Sequence, residues 1–478
     1  MAVALRVSEQ GLKLVDQARR KKGWTKIADA WLRAAETSPS TLKRFWRGMP
    51  IARENFIAIC QAVGLDNWEE IVEDSPTQQT PPQAPPVVSF FSYDNAWVGR
   101  QELIAHLSAK VRGTCRVLIL AGITGIGKTA LAERLAAELH SDWLQGDWTK
   151  FLQENFDYEV KANDFASVGA RWLEKLGELV TPEDRKDTQR LLNRLVKHLL
   201  ENRYLVQIDS LENILKGNEE EGWSDFEDEW WVKFFQSLLS AEFCQSRVIL
   251  TSQDLPGQIP TIGSRYQNFW YCQPLSGLTE AEQLALFDKT GLNVSTESQN
   301  RPYIVRIAAA YEGHPLALRV IAGEIGNQPF DGNVVAYWKT YGHEIEEVEK
   351  AIEEAKTKGV MALADDHWQL HRYNRRLQRM VRSRLETMFN RLDKDVHYAY
   401  VLLCEASVYR CPVPEEFWLS HLEDWDYDKD KQKVALDALR DRYLVEEVVE
   451  NNKYLLRQHN LIRSVALEHL KKLAENDE

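Results

Sequence analysis

Three short stretches of the chain are almost continuously apolar: Arg116–Ala121 (RVLILA), Tyr204–Ile208 (YLVQI) and Arg247–Thr251 (RVILT). Nearly continuous apolarity over five or six residues suits strands covered on both faces, as in a parallel sheet. Between them, Thr129–His140 and Thr188–Glu201 carry apolar residues at helical spacing. Strands alternating with helices predict a doubly wound α/β domain over residues 94–278.

From Thr279 the chain turns helical. Leu284, Leu286 and Phe287, then Val305, Ile307 and Ala308, then Leu316, Leu318, Val320 and Ile321 mark successive apolar faces, so 279–378 is expected to be a small helical domain with a connector. Near the end, Tyr443–Val449 and Lys453–Arg457 read as two strands around the polar turn Glu450–Asn452, with helices on both sides. That pattern predicts a winged-helix domain over 379–478. At the other end, Gly11–Leu65 reads as several short helices with a core of Val15, Ala18, Ile27, Ala30, Trp31, Leu42, Phe45, Phe56, Ile57, Ile59 and Val63. Residues 1–74 form this helical head. Five of the 16 prolines fall in Ser75–Val88, so 75–93 is expected to be a semi-rigid linker.

Composition adds charge to this outline. The 478 residues are 44% apolar and 27% charged, which excludes a disordered or fibrous chain. Residues 1–65 hold twelve Lys and Arg against five Asp and Glu, a balance of +7; the net charge of −13 leaves −20 on the remainder. A basic head on an acidic body points to an anionic partner, or to docking of the head on the body. The six cysteines form no CxxC pair, so a zinc site or disulfide framework is not expected. No apolar run approaches a membrane span and Met1–Val7 is not a signal peptide, so the expected compartment is the cytoplasm, with no membrane partner.

The chemistry is concentrated in Gly122-Ile-Thr-Gly-Ile-Gly-Lys-Thr129, a GxxxxGK[ST] string placed between the first apolar strand and a helix. Gly122, Gly125 and Gly127 permit the dihedrals that turn successive N–H groups onto phosphate oxygens, and the following helix adds its N-terminal partial charge. Lys128 is expected to reach the β- and γ-phosphates and the Thr129 hydroxyl to ligate Mg2+. Asp209 ends the second apolar strand, where a P-loop protein holds magnesium. A nucleoside di- or triphosphate with Mg2+ is therefore the expected ligand. The loop also offers Thr124, Ile126 and Ala130, and the expected catalytic residues are Lys128 and Asp209.

These motifs, with four others in order, resemble the NB-ARC family of signalling ATPases, the STAND class. The resemblance implies a P-loop domain, a small helical domain and a winged helix closing around ADP. Asn95-Ala-Trp-Val-Gly-Arg100 resembles the family's VGR motif, so Val98, Gly99 and Arg100 would lie against adenine. Arg247–Gln253 resembles the strand ending in a γ-phosphate sensor at Gln253. Gly313-His-Pro-Leu-Ala317 resembles GLPLA, with Pro315 touching nucleotide, and Gln458-His459-Asn460 falls at MHD, with His459 on the β-phosphate. Three departures weaken charge control in the site. Gln253 stands for the usual Arg, Asn460 for the Asp of MHD, and Ser210 for the second acid that polarises the attacking water. Hydrolysis is therefore expected to be slow at most, unless Glu212 substitutes.

The head carries Ala35–Gly48, a turn, a capped helix and a Gly stop, which resembles a phage-repressor helix-turn-helix. Ser38, Ser40, Thr41, Lys43, Arg44 and Arg47 would then be DNA contacts, with Arg19–Lys22 adding phosphate charge. The expected use of the head is nevertheless an adaptor that recruits an effector or sensor protein, with DNA binding and then simple packing as the alternatives. The expected function is an ADP/ATP switch with a closed ADP state and an open, oligomerising ATP state; the alternatives are a nucleotide-controlled transcriptional regulator and a housekeeping ATPase. The Arg-rich run Arg372–Arg384 is expected to be a solvated helical face pairing with Glu344–Glu354, and Glu219–Trp231 a surface insertion with buried Trp anchors.

Overall fold

A computed structural model describes residues 4–72 and 97–476, apart from short breaks at 23, 25–27, 36, 38, 47–50, 66, 158–161, 219–222, 254, 358–366 and 451–452. The linker expected at 75–93 lies outside the described residues. The chain divides into two compact units, Met1–Ala84 and Pro85–Glu478.

In the larger unit five strands form one parallel sheet: β1 (Val117–Ala121), β2 (Phe151–Asn155), β3 (Leu205–Asp209), β4 (Arg247–Ser252) and β5 (Trp270–Pro274). Their order across the sheet is β2-β3-β4-β1-β5. The three strands read from apolar runs are the three central ones, and both edges carry mixed sequence. Alternate residues leave opposite faces, as strand geometry requires. Val117, Ile119, Val206, Ile208, Val248 and Leu250 pack on one side with Trp172, Leu195, Trp231 and Phe234. Leu118, Leu120, Leu205 and Ile249 pack on the other with Leu107, Leu131 and Leu135. Helices Phe165–Lys175, Thr188–Glu201 and Glu229–Ser240 thus cover one face, and Gln101–Arg112 and Lys128–His140 the other.

Local chemistry sets these helix limits. Thr188–Glu201 buries Leu191, Leu192, Leu195 and Leu199 along one stripe, and Asp187 accepts from the Arg190 amide at its start. Asp228 does the same for Trp230 at the head of Glu229–Ser240. The expected insertion is a hairpin, Leu215–Asn218 against Trp223–Phe226, followed by the fully buried Trp231.

Beyond β5 the chain is helical: Glu280–Lys289, Arg301–Ala310, Pro315–Gly326, Val334–Thr357 and His367–Asp395, then His397–Glu405, Glu415–Asp424 and Lys429–Asp441. Glu446–Glu450 then pairs antiparallel with Lys453–Arg457, and helix Asn460–Asn476 follows. One buried cluster runs without a break from Ile123 and Ile126 through Ile321, Val381, Leu403 and Leu439 to Val465. Residues 279–378 and 379–476 therefore share a core. Within it, Arg384 is not solvated as its Arg-rich run suggests. It is 3% exposed and pairs with Glu324 and, at 2.8 Å, Glu344; Arg391 pairs with both acids too. The helical period turns this one arginine inward, where two carboxylates compensate its burial.

The smaller unit pairs Ala4–Leu5 with Ile51–Ala52 and packs helices Glu9–Lys21, Asp29–Ala34, Pro39–Trp46 and Arg53–Ala62 around Val15, Trp31, Leu42, Phe45, Phe56 and Ile59. Ala30 is exposed and Ile57 and Ala18 are half-buried, so the core is narrower than its apolar pattern suggests, while Ile27 is outside the described residues.

Candidate functional site

The strand order brings the C-terminal ends of β1, β3 and β4 side by side, and the loop after β1 turns there into helix Lys128–His140. Gly125 (φ +82°) and Gly127 (φ +93°) both occupy the left-handed region. Gly125 is constrained twice: an added Cβ would lie 2.8 Å from His314 Cε1 and 2.9 Å from Leu316 Cβ. Those residues open helix Pro315–Gly326, which docks directly on the loop. His314 Nδ1 accepts from the Ala317 amide (3.3 Å), so its Nε2 carries the proton that Thr124 O accepts (3.0 Å). Burial lowers the His314 pKa to about 3, which keeps the ring neutral in this role.

Lys128 is 8% exposed, and its ammonium donates to Gly122 O (2.8 Å) and Ile123 O (3.2 Å). Thr129 Oγ1 donates to Asp209 Oδ1 at 2.8 Å, and Thr251 donates to the same oxygen. Burial, reinforced by the negative charge of Asp157, raises the Asp209 pKa to about 6. A buried carboxylate in that condition, with a hydroxyl in contact, is a donor set suited to a hard divalent cation. Among the described residues no group of three or more His, Cys, Asp or Glu is arranged to hold a metal. Thr129 and Asp209 would therefore hold Mg2+ with phosphate and water completing its shell, the manner in which this ion is usually bound.

The segment Trp97–Arg100 is fastened across the loop. Arg100 donates to Ile126 O (2.9 Å) and Ser276 O (3.0 Å), and its backbone amide donates to Glu282. Glu282 also caps helix Glu280–Lys289 by accepting from the Thr279 amide. A Cβ on Gly99 would lie 2.1 Å from Glu282, so that carboxylate occupies the space the glycine leaves.

These elements surround one cavity of about 580 Å³. Of the residues singled out in the sequence, Val98, Arg100, Thr124, Gly125, Ile126, Gly127, Lys128, Thr129, Ala130, Asp209, Gln253, Pro315 and His459 all line it. Gly99 and Gly122 shape the backbone around it without lining it. Trp97, Val98, Leu278, Leu286, Pro315 and Leu316 give the cavity an apolar part. Its charged lining is Arg100, Lys128, Arg319, Arg382, Arg410, Arg457 and Arg463 against Asp157, Asp209, Glu212 and Glu446, seven cations to four anions. In a chain of net charge −13 this is a marked local reversal. An apolar part beside a cationic one suits a base joined to a polyphosphate.

His459 sits where helix Asn460–Asn476 begins, its Nδ1 accepting from the Leu461 amide at 3.2 Å. Burial lowers its pKa to about 4, so it lines the cavity as a neutral ring. Gln458 is buried and donates to Leu403 O at 2.6 Å, anchoring this corner from behind. Gln253 binds Glu212 through its side-chain amide (2.9 Å) and its backbone amide (3.2 Å). Sequence reasoning overlooked Asp157, Asn213, Arg319, Arg382, Arg410, Arg457 and Arg463. An acid or arginine carries no signal of its own until the fold places it.

In the head, Thr41 and Arg44 are half-buried on helix Pro39–Trp46. Ser38 and Arg47 lie outside the described residues, as do the side chains of Ser40 and Lys43. Among the described residues no helix is long and apolar enough to cross a membrane.

Comparison with known proteins agrees with the P-loop site. Residues 96–249 match the AAA ATPase domain family, a stretch that takes in β1, the glycine loop, Asp209 and the start of β4. An uncharacterized WD repeat-containing protein of Nostoc sp. is 28% identical over 381 residues, covering 70% of this chain and 28% of the relative. The chain thus spans less than a third of that relative's length. Among solved structures, a STAND protein with a tetratricopeptide repeat sensor from Pyrococcus horikoshii is similar with a TM-score of 0.42 and 15% identity, over 83% of this chain and 44% of that one. The ADP form of the Aeropyrum pernix ORC2 protein is similar with a TM-score of 0.31 and 13% identity, over 78% and 92%.

Proposed function

We propose that the chain is a nucleotide-gated signalling ATPase of the NB-ARC type, closed with ADP and opened by ATP. The observation that carries this reading is the make-up of the cavity. The glycine loop, the start of helix Pro315–Gly326 and the segment Arg457–Ser464 are far apart in sequence and line the same space. A ligand touching all three ties them together. Backbone amides of the loop and Lys128 would take the diphosphate, Thr129 and Asp209 would hold Mg2+, and neutral His459 would donate to the β-phosphate. Bound Mg2+ supplies positive charge that offsets the phosphate oxygens. Loss of the third wall would free the C-terminal segment to move and to offer surfaces for self-association.

Flipping such an equilibrium from 1:99 to 99:1 requires the two nucleotides to differ in state preference by about 5.5 kcal/mol. Gln253, already engaged by Glu212, contributes no charge to that difference. A partner protein acting through the head or the C-terminal domain, read here as a winged helix, would supply the remainder. Light scattering behind size exclusion tests the switch. One chain per particle with ADP and a larger assembly with a non-hydrolysable ATP analogue is expected; one mass under both conditions contradicts it.

A nucleotide-controlled DNA-binding regulator differs only in the use of the head. Its test is a gel shift with the full chain at low salt, comparing the wild type with Thr41→Ala/Arg44→Ala.

A further inference from the structure

Two of the positions that depart from the NB-ARC pattern, Ser210 and Asn460, meet on one carboxylate that no sequence motif marks. Asp157 Oδ2 accepts from Ser210 Oγ at 2.7 Å and from Asn460 Nδ2 at 2.5 Å, while Oδ1 accepts from Asn213 Nδ2 at 2.8 Å. Its place follows from the sheet. Asn155 at the end of β2 is in register with Asp209 at the end of β3, so Asp157 stands two residues past the partner of the metal-holding acid. It lines the same cavity as Lys128 and Thr129.

We propose that Asp157 is the second carboxylate of the hydrolytic centre and that Asn460 withholds it in the closed arrangement. This rests on the nucleotide reading above. Ser210 has no proton-accepting capacity at neutral pH, but it does not need any. At φ 60° it holds a left-handed turn, and its hydroxyl orients a carboxylate delivered from the neighbouring strand. Glu212 is less suited, because Gln253 at the end of β4 holds both its oxygens and movement of the C-terminal helix does not release them. Among the described residues the side-chain donors on Asp157 are two neutral amides and a hydroxyl, which position the carboxylate, while the Arg463 charge acts on it from nearby. With Ser210 and Asn460 both on Oδ2, a lone pair that would face a water is taken. Asn460 begins the C-terminal helix, so movement of that helix releases the oxygen. The step is then a displacement. The water oxygen bonds to the γ-phosphorus, its proton passes to Asp157, and the bond to the β–γ bridging oxygen breaks with its electron pair leaving on ADP. The proton is afterwards lost from Asp157 to solvent or phosphate.

Single-turnover ATP hydrolysis by the full chain with Mg2+ tests this, beside the affinity for a fluorescent ADP. Asp157→Asn is expected to slow hydrolysis about 100-fold, within the range for a lost general base, with ADP affinity changed less than threefold. Asn460→Ala is expected to accelerate hydrolysis several-fold, and the double variant to be as slow as Asp157→Asn alone. Wild-type rates in Asp157→Asn overturn the proposal, as does an equal loss of ADP affinity. If Asp157→Asn does not fold, Asn460→Ala decides: an unchanged rate overturns the proposal. A wild-type chain that binds no ADP removes the nucleotide reading and this inference with it. A chain that binds ADP while neither it nor Asn460→Ala hydrolyses ATP removes this inference alone.

Discussion

The two sides of the cavity are built on different principles. The glycine-loop side is charged and buried: Lys128 on backbone carbonyls, and Asp209 fixed by two hydroxyls. The opposite side, from the end of β4 and the C-terminal segment, also carries arginines, but uncharged side chains hold its carboxylates Glu212 and Asp157. Gln253 holds Glu212, Asn460 holds Asp157, and His459 is neutral. A buried ammonium or carboxylate is hard to displace, whereas a hydrogen bond from an uncharged amide to a carboxylate contributes about 1.5–3 kcal/mol and can be exchanged for one from water. The first side is suited to retaining a ligand and the second to letting go.

The comparison breaks first if the helical wall is not rigid. Arg384→Ala leaves the buried Glu324 to Arg391 and the Tyr337 hydroxyl, and the expected loss is about 3 kcal/mol of unfolding free energy in urea. A loss within about 0.5 kcal/mol would show that this wall does not depend on its ion network. Next is Lys128→Ala, where losing a buried ammonium facing phosphate is expected to weaken ADP about 100-fold, near 3 kcal/mol, by calorimetric titration. An unchanged affinity would remove the distinction between the walls.

Third is the pH dependence of the charged side. The folded pKa of Asp209 is raised from the ordinary 3.8 to about 6, so between those values the folded protein holds a proton that the unfolded chain has lost. Ligand-free stability from this group therefore falls as pH rises through that window. Cation binding must expel the same proton. Mg2+-dependent ADP affinity is expected to rise about tenfold from pH 5 to pH 7 and to level above it, and Asp209→Asn should abolish the slope. The smallest effect concerns the other wall. Gln253→Arg would place a charge beside Glu212 and shift the ATP-over-ADP preference by about threefold, measured by competition binding.

How much of this was legible in the sequence follows burial. β3 and β4, central and nearly fully buried, announce themselves as apolar runs, as does β1. β2 and β5 lie at the sheet edges, and β5 is half-exposed along most of its length, so their sequences FLQEN and WYCQP carry no such signature. Losing β2 meant losing Asp157, since an acid two residues past an unseen strand looks like any loop residue. Lys128, Thr129 and Asp209 were legible because their spacing is fixed by one strand–loop–helix and one strand end. Arg319, Arg382, Arg457 and Arg463 come from four separate elements, and only the tertiary fold converges them. Arg384 was misplaced for the complementary reason: in a run of six arginines no local feature marks it as turning inward.

The nucleotide content of the protein as purified, released by acid and separated by chromatography, bears most directly on the site. Close to one adenine nucleotide per chain, predominantly ADP, and its disappearance in Lys128→Ala, is the predicted result. A wild-type chain that carries none, and takes up none when ADP and Mg2+ are added, would contradict it.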